Sequence, residues 1–366
     1  MILVDARPLQ NTPLTGVGLV TKEVVERIQK PTITLFTSGT RKPTFNNLPH
    51  IHASIPNKLL SIATLLTQQP TLEQLVRKQN TEVIDAIFLP NPSIVALEKR
   101  TPLILTIHDL SFLHVKETFA QKNRWWHTAV QIEKLTHRAQ SIIAVSQTTA
   151  QDLQETLNIP PEKITVIYPG VNKPAAILHL PQIPKQFILI LSSFEPRKNL
   201  EILLSPLKSI LTQKKYEDVE VIAIGTLGFQ GKKILSSFQK VLPPNKFHYL
   251  GYVTEEIKRA LIAKAYITLY PSRFEGFGLP PLESGIQKVP CIVSRIPSLQ
   301  EILRNSVLYA DPYRSDEWYT AITTLLNNQT LHKTLSEAIE QQAQKFSWEQ
   351  TIPQYERLLQ TYEHRH

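Results

Sequence analysis

A single cysteine, Cys291, in a chain of 366 residues excludes an internal disulfide framework and is compatible with a reducing cytosol. It follows Pro290 at the head of an apolar run, where a buried, inert thiol is expected. No cysteine–histidine grouping has the spacing of a zinc site, so no metal is expected. Apolar runs are short, and none approaches the roughly 18 residues of a membrane span. The first residues enter Ile2-Leu3-Val4-Asp5 directly, without the basic segment and apolar stretch of a signal peptide. A cytoplasmic location is therefore expected. Internal repeats and low-complexity tracts are missing as well. Acidic residues are the scarcer sign of charge, 31 against 40 lysines and arginines, for a net charge of +9. That balance suits an anionic partner. The cations are scattered, however, with no basic-aromatic module for nucleic acid. A nucleotide ligand or an acidic membrane surface accounts for the charge more simply, and so does a slightly basic soluble protein with no such partner.

The length exceeds what one hydrophobic core usually supports, so two domains are expected. Short apolar runs alternate with helical segments in both halves, the pattern of a parallel α/β sheet. In the first half, strands are expected at Ile2–Ala6, Ile33–Phe36, Val83–Leu89, Leu103–Ile107, Ser141–Ser146 and Lys163–Tyr168. In the second they are expected at Phe187–Leu191, Val219–Ile224, Lys246–Gly251 and 265–270. Pro169-Gly170 and the prolines at 174, 181 and 184 mark a linker. The expected division is 1–172, a linker over 173–186, 187–346, and a final helix over 347–366.

The stretch from Tyr270 to Glu301 organises the rest. A strand leads into Glu275-Gly276-Phe277-Gly278-Leu279, a two-glycine loop where backbone can approach a ligand closely. Pro280-Pro281 then opens a helix, with Glu283 expected in its first turn. Free amides and the helix dipole there would face an anion. Glu275 and Glu283 bracket the loop with seven residues between them. Plainer readings exist. Glu283 could serve its own helix N-terminus, the glycines could be turn residues, and the carboxylates could form a glycosidase-like pair.

Upstream, Glu195-Pro196-Arg197-Lys198-Asn199 precedes a helix that Asn199 is expected to cap. Cations at a helix N-terminus are costly unless an anion joins them, and a diphosphate would do so. In the first half, Thr15-Gly16-Val17-Gly18 is expected as a loop after the first strand. It lacks the third glycine of a dinucleotide fingerprint, and no acidic residue ends the next strand, so NAD is discounted. His108 and Asp109 end the strand 103–107, where α/β folds place ligand chemistry. Lys58–Gln79 reads as one helix, with Leu59, Leu60, Ile62, Ala63, Leu65 and Leu66 apolar. Asn123–Arg138 reads as another, in which the adjacent Trp125 and Trp126 cannot face the same way. The first could carry an acceptor face, although such a stripe is more often core, and one tryptophan of the second could face an acceptor or a membrane.

Glu275-Gly-Phe-Gly-Leu-Pro-Pro-Leu-Glu283, followed by Val289-Pro-Cys-Ile-Val-Ser294, resembles the paired-glutamate region of family 4 glycosyltransferases. Glu195-Pro-Arg-Lys-Asn199 is similar to another string of that family. Thr106-Ile-His-Asp-Leu-Ser-Phe-Leu113 resembles its mannosyltransferase-like members. The resemblance implies the GT-B fold, two Rossmann-like domains facing across a cleft with the final helix crossing back to the first. It implies a retaining reaction by a front-face path, with no cofactor beyond a nucleotide-sugar donor. It puts the donor sugar near Glu275, the Gly276–Leu279 loop and His108, the diphosphate on Lys198 with Arg197, and the ribose hydroxyls on Glu283. Asp109 would fix His108 or its loop, Val253 and Tyr252 would lie near the base, and Gly16 and Gly18 would lie over the cleft. Many members begin the diphosphate loop with Gly or Gly-Arg, whereas Ser192-Ser193 stands here, so a second cation is missing. GDP-mannose is the implied donor and a glycan or lipid-linked molecule the acceptor, reached from the inner membrane face. The rivals are another GT-B enzyme, such as a nucleotide-sugar epimerase or a phosphorylase, and a non-catalytic member that binds sugar nucleotide.

Overall fold

The computed structural model describes every residue except 15, 46, 47, 174–177, 179, 181, 182 and 364–366, and only the backbone of 122–124, 126 and 127. The chain divides into two compact units. The first comprises Met1–Leu110, Gln121–Pro169 and Trp348–His366, and the second Ser111–Ala120 and Gly170–Ser347. The division falls at 169–170 rather than 172, and ten residues after the 103–107 strand group with the second unit. The linker expected over 173–186 lies partly outside the described residues, and Gln186 already belongs to a strand.

The first unit holds seven strands: β1 (Ile2–Asp5), β2 (Ile33–Ser38), β3 (His50–Ala53), β4 (Ala86–Leu89), β5 (Leu103–Ile107), β6 (Ser141–Ala144) and β7 (Ile164–Val166). They pair in the order β3-β2-β1-β4-β5-β6-β7, all parallel. β1, β4 and β5 are buried on both faces, and apart from Asp5 and Thr106 their residues are apolar, as strands covered on both sides require. The C-terminal helix Trp348–Gln360 belongs to this unit, its buried Tyr355 ring 6.1 Å from that of Phe88 in β4.

Helices in this unit are more broken than their sequences suggest. The expected Lys58–Gln79 helix is two, Asn57–Thr67 and Leu72–Arg77. Pro70 supplies no amide to continue the first, which ends at Gln68 in a left-handed conformation. Asn123–Arg138 likewise divides into Gln121–Val130 and Ile132–Arg138 at Gln131, which has φ +50°. Trp125 is exposed there, and the side chain of Trp126 lies outside the described residues.

The second unit holds β8 (Gln186–Leu191), β9 (Val219–Ile224), β10 (Phe247–Gly251), β11 (Ile267–Tyr270), β12 (Cys291–Ser294) and β13 (Leu308–Ala310). Their order is β10-β9-β8-β11-β12-β13, again all parallel. Along β8, Ile188 and Ile190 enter one hydrophobic core while Phe187 and Leu189 enter another on the opposite face. Period-two alternation thus splits one apolar run between two helical layers. Beyond β13, Ser315–Asn327 and Gln329–Ala343 are helices of 13 and 15 residues. Strand order reverses between β8 and β11 here, and between β1 and β4 in the first unit. Open α/β sheets bind ligands at such switch points, beyond the carboxyl ends of the strands.

Candidate functional site

The loops after β8 and β11 meet at the switch point of the second unit. Beyond β8, Gly225 at the end of β9 has φ +141°, and a Cβ there would lie 2.0 Å from the Ser192 carbonyl oxygen. Only glycine lets the two chain segments pass this closely. Pro196–Lys198 then forms a short 3-10 turn that carries both cations. Asn199 departs from the capping role expected of it. It has φ +55°, and its buried side chain donates to the carbonyls of Pro271 (3.1 Å) and Pro312 (2.7 Å) while accepting from Arg273 (3.0 Å). Asn199 therefore pins the cationic loop to the loop after β11.

Lys198, Arg197 and Glu275 come together there. Lys198 Nζ lies 2.5 Å from Glu275 Oε1 and donates to the Tyr270 hydroxyl at 3.1 Å. Arg197 reaches Glu275 Oε2 at 3.4 Å, the Phe274 carbonyl at 3.2 Å and Glu195 Oε1 at 3.3 Å. Glu195 also accepts from Ser193 Oγ at 3.1 Å. The Ser192-Ser193 loop thus adds no cation and supports the one at Arg197 through Glu195. Burial alone would raise the Glu275 pKa, but Lys198 and Arg197 outweigh it and hold the carboxyl at about 2. Burial and the neighbouring Arg197 lower that of Lys198, against the pull of Glu275 and Glu195. Two cations and two carboxylates, Glu195 and Glu275, are thus compressed into one cluster.

Gly278 has φ +102°, and a Cβ on it would lie 2.4 Å from Leu299 Cδ2, so glycine is required for both conformation and space. The following helix runs Leu279–Ile286. Two expectations change with that boundary. Pro280 and Pro281 both fall in the first turn and have no amide, so this helix N-terminus offers fewer donors than expected. Glu283 is the fifth residue of the helix, beyond the first turn, and it pairs instead with Lys258 at 2.8 Å. Lys258 belongs to helix Glu255–Lys264, whose N-cap is Thr254. Val253, just before that cap, is half-buried against the core beneath β8, and Tyr252 is exposed. Cys291 is buried, its thiol pushed up to about 12 by burial, as befits an inert side chain.

In the first unit the switch point holds groups that sequence reasoning missed. Asp5 ends β1 and accepts from Arg7 at 2.8 and 2.7 Å and from Ser93 at 2.9 Å. Burial opposes its ionisation, but the Arg7 charge and these hydrogen bonds keep its pKa below the ordinary value. An Asp-x-Arg pair closing the first strand was the available signal. At the end of β5, His108 donates from Nε2 to the Pro90 carbonyl at 2.9 Å. Burial lowers its pKa, against that bond and the Asp109 charge, so the ring is neutral with its lone pair on Nδ1. Gly16 and Gly18, expected in a loop, lie in the first turn of helix Gly16–Arg27. Gly18 serves packing: a Cβ there would lie 3.1 Å from Leu14 Cδ2 and 3.3 Å from the Pro8 carbonyl oxygen.

Two family descriptions match adjoining parts of the chain: Glycosyltransferase Family 4 over residues 14–173, and Glycosyl transferases group 1 over residues 180–345. The O-antigen chain mannosyltransferase RfbU of Salmonella typhimurium is 29% identical over 226 residues, so the chain spans about 60% of that relative's length and 60% of its own is covered. O-antigen chain mannosyltransferase B of Escherichia coli is 27% identical over 377 residues, covering 94% of this chain and 97% of that one. Among solved structures, HepE of Anabaena in complex with UDP and glucose superposes with a TM-score of 0.73 at 19% identity, covering 98% of this chain and 99% of that one.

Proposed function

We propose a donor, an acceptor and a stereochemical course for this chain, which belongs to the family 4 glycosyltransferases and has their GT-B fold. It transfers mannose from GDP-mannose to a glycan or lipid-linked acceptor in cell-surface polysaccharide synthesis, at the cytoplasmic face of the membrane. Mannose and the polysaccharide setting rest on the two O-antigen mannosyltransferases that resemble it. The observation that carries the reaction class is the Lys198–Arg197–Glu275 cluster at the switch point.

Breaking the bond between the sugar C1 and the diphosphate oxygen leaves positive charge on the sugar and negative charge on the departing phosphate. Lys198 and Arg197 meet that negative charge, an electrostatic role fixed before the reaction begins. The acceptor hydroxyl attacks C1 from the face that the phosphate leaves, and its proton passes to the departing phosphate oxygen. Configuration is retained without a covalent enzyme intermediate. The state of Glu275 favours this course, because a carboxylate bound by two cations with a pKa of about 2 is a weak nucleophile. Glu275 and the Gly276–Leu279 backbone orient the donor sugar, and in the first unit His108 Nδ1 accepts from a substrate hydroxyl. Glu283 takes the ribose hydroxyls, and Val253 lines the base.

Turnover of GDP-mannose, UDP-glucose, UDP-N-acetylglucosamine and a dTDP-sugar, measured in parallel with a lipid-linked acceptor, tests the assignment. GDP-mannose should be consumed fastest, with the α-linked configuration of the donor kept in the product. Preference for a uridine or thymidine donor would remove mannose from the proposal and leave glycosyl transfer standing.

A further inference from the structure

Lys258 is a largely buried ammonium clamped between two carboxylates. Its Nζ lies 2.8 Å from Glu283 Oε1 and 2.8 Å from Glu255 Oε2, with its side chain 12% exposed. Glu255 stands one turn earlier on the same helix, which Thr254 caps by accepting from the Ile257 amide at 3.5 Å. The cap fixes where this helix starts, and so where Lys258 meets Glu283. Among the described residues, Glu283 Oε2 makes no hydrogen bond, so one carboxylate oxygen is tethered and the other is open.

We propose that Lys258 is a positioning residue for nucleoside recognition, holding Glu283 by Oε1 so that Oε2 is presented to the ribose hydroxyls. The proposal rests on the reading of Glu283 as the ribose acceptor. A glutamate has three side-chain torsions, and a carboxylate that must accept from two adjacent hydroxyls gains from having them set in advance. Glu255 completes the device. Burial disfavours charge on Lys258, but Glu283 and Glu255 outweigh it and raise its pKa, so the tether stays charged throughout the neutral range. Val253 adjoins the same cap, so one helix start couples the base-side segment to the ribose-side carboxylate.

Calorimetric titration of the full chain with GDP and UDP, their 2′,3′-dideoxy counterparts and inorganic pyrophosphate tests this. The wild-type protein should prefer the ribonucleotide over the dideoxy form by about tenfold or more, the scale of charge-assisted hydrogen bonds. In Lys258→Met that preference should shrink to about twofold or less, while pyrophosphate binds as in the wild type, because only ribose contacts lose their orientation. Lys258→Gln, neutral and shorter, should behave alike and serves where the methionine variant does not fold; Lys258→Arg should restore part of the preference. A Lys258 variant that melts as the wild type does and keeps the full preference, while Glu283→Gln loses it, overturns the role of Lys258 alone. If Glu283→Gln also keeps the preference, the ribose reading of Glu283 fails and Lys258 falls with it.

Discussion

Lys198 is held by Glu275 and Tyr270, and both bear on what its loss should do. Lys198→Ala removes the proposed charge-assisted contact to the diphosphate, of a kind worth about 1.5–3 kcal/mol, so nucleoside diphosphate affinity should fall roughly ten- to a hundredfold by calorimetry. The same change leaves buried Glu275 with Arg197, at 3.4 Å, as its remaining cation among the described residues, so the melting temperature should drop too. Glu275→Gln has the opposite sign at the first step. It frees Lys198 from a carboxylate that competes with phosphate, so nucleoside diphosphate alone should bind more tightly while sugar transfer slows. Weaker binding in that variant would show that Glu275 organises the cations rather than competing for them. At His108 the sign of the pH effect follows from its lowered pKa. The neutral ring is the competent form, so kcat/KM should hold through neutral pH and decline only below the ordinary histidine value of 6.5, as acid protonates Nδ1. The stability contributed by the buried neutral ring is likewise present at high pH and lost on the acid side. An acid limb centred above 6.5 that His108→Gln abolishes would contradict this.

At the scale of elements, the site's strings were legible because each is continuous: Glu195 to Asn199, Glu275 to Glu283 and Thr106 to Leu113. Their pairings were not. Lys198 and Glu275 are joined across separate strands, Glu283 meets a lysine of the preceding helix, and Asp5 meets Ser93, links that no local pattern carries. Strands with long apolar runs were found to within a few residues, but β3, β12 and β13, each of three or four residues, were not expected as strands. Helix starts were read less well. Two adjacent prolines hid the onset at Leu279, and a first turn built on Gly16 and Gly18 looked like a loop, because backbone propensity was read without the packing of Gly18 on Pro8 and Leu14. Gly278 is the element-scale test. Alanine there meets both a φ of +102° and a 2.4 Å approach to buried Leu299. Strain of about 1–2 kcal/mol and overpacking of about 1–3 kcal/mol should add to a clear fall in the denaturation midpoint. Adding Leu299→Ala should relieve the overpacking and leave the strain. A Gly278→Ala protein as stable as the wild type would mean that the loop is free to reorganise, and that its shape cannot be what orients a sugar.

Across the whole molecule the charge is uneven, and the first unit shows where. Between Glu26 and Glu73 there is no acidic residue, while Arg27, Lys30, Arg41, Lys42 and Lys58 all lie in that interval. Within it, helix Asn57–Thr67 exposes Leu59, Ile62 and Leu66, by 58%, 51% and 79% of their surface, at the spacing of a single helix face. Asn57 at its start is hydrogen-bonded to Ser38, the last residue of β2, which leads into exposed Arg41 and Lys42. Cations and an apolar face therefore share the carboxyl edge of one sheet. No helix among the described residues is long and apolar enough to cross a membrane, and the membrane contact proposed for this protein would use this face. Each lysine or arginine near such a surface contributes about 1 kcal/mol, a term that salt weakens. The protein should therefore float with vesicles containing phosphatidylglycerol and stay behind with purely zwitterionic ones. Leu59→Ser, Ile62→Ser and Leu66→Ser together should abolish flotation at low salt while leaving nucleoside diphosphate affinity in solution unchanged, since the substitutions lie in the first unit and the diphosphate contacts in the second. Arg41→Glu with Lys42→Glu should reduce flotation and remove its salt dependence. Equal flotation of the triple variant and the wild type would assign the apolar face to something other than a membrane, and equal partitioning to zwitterionic vesicles would remove the electrostatic half of the account.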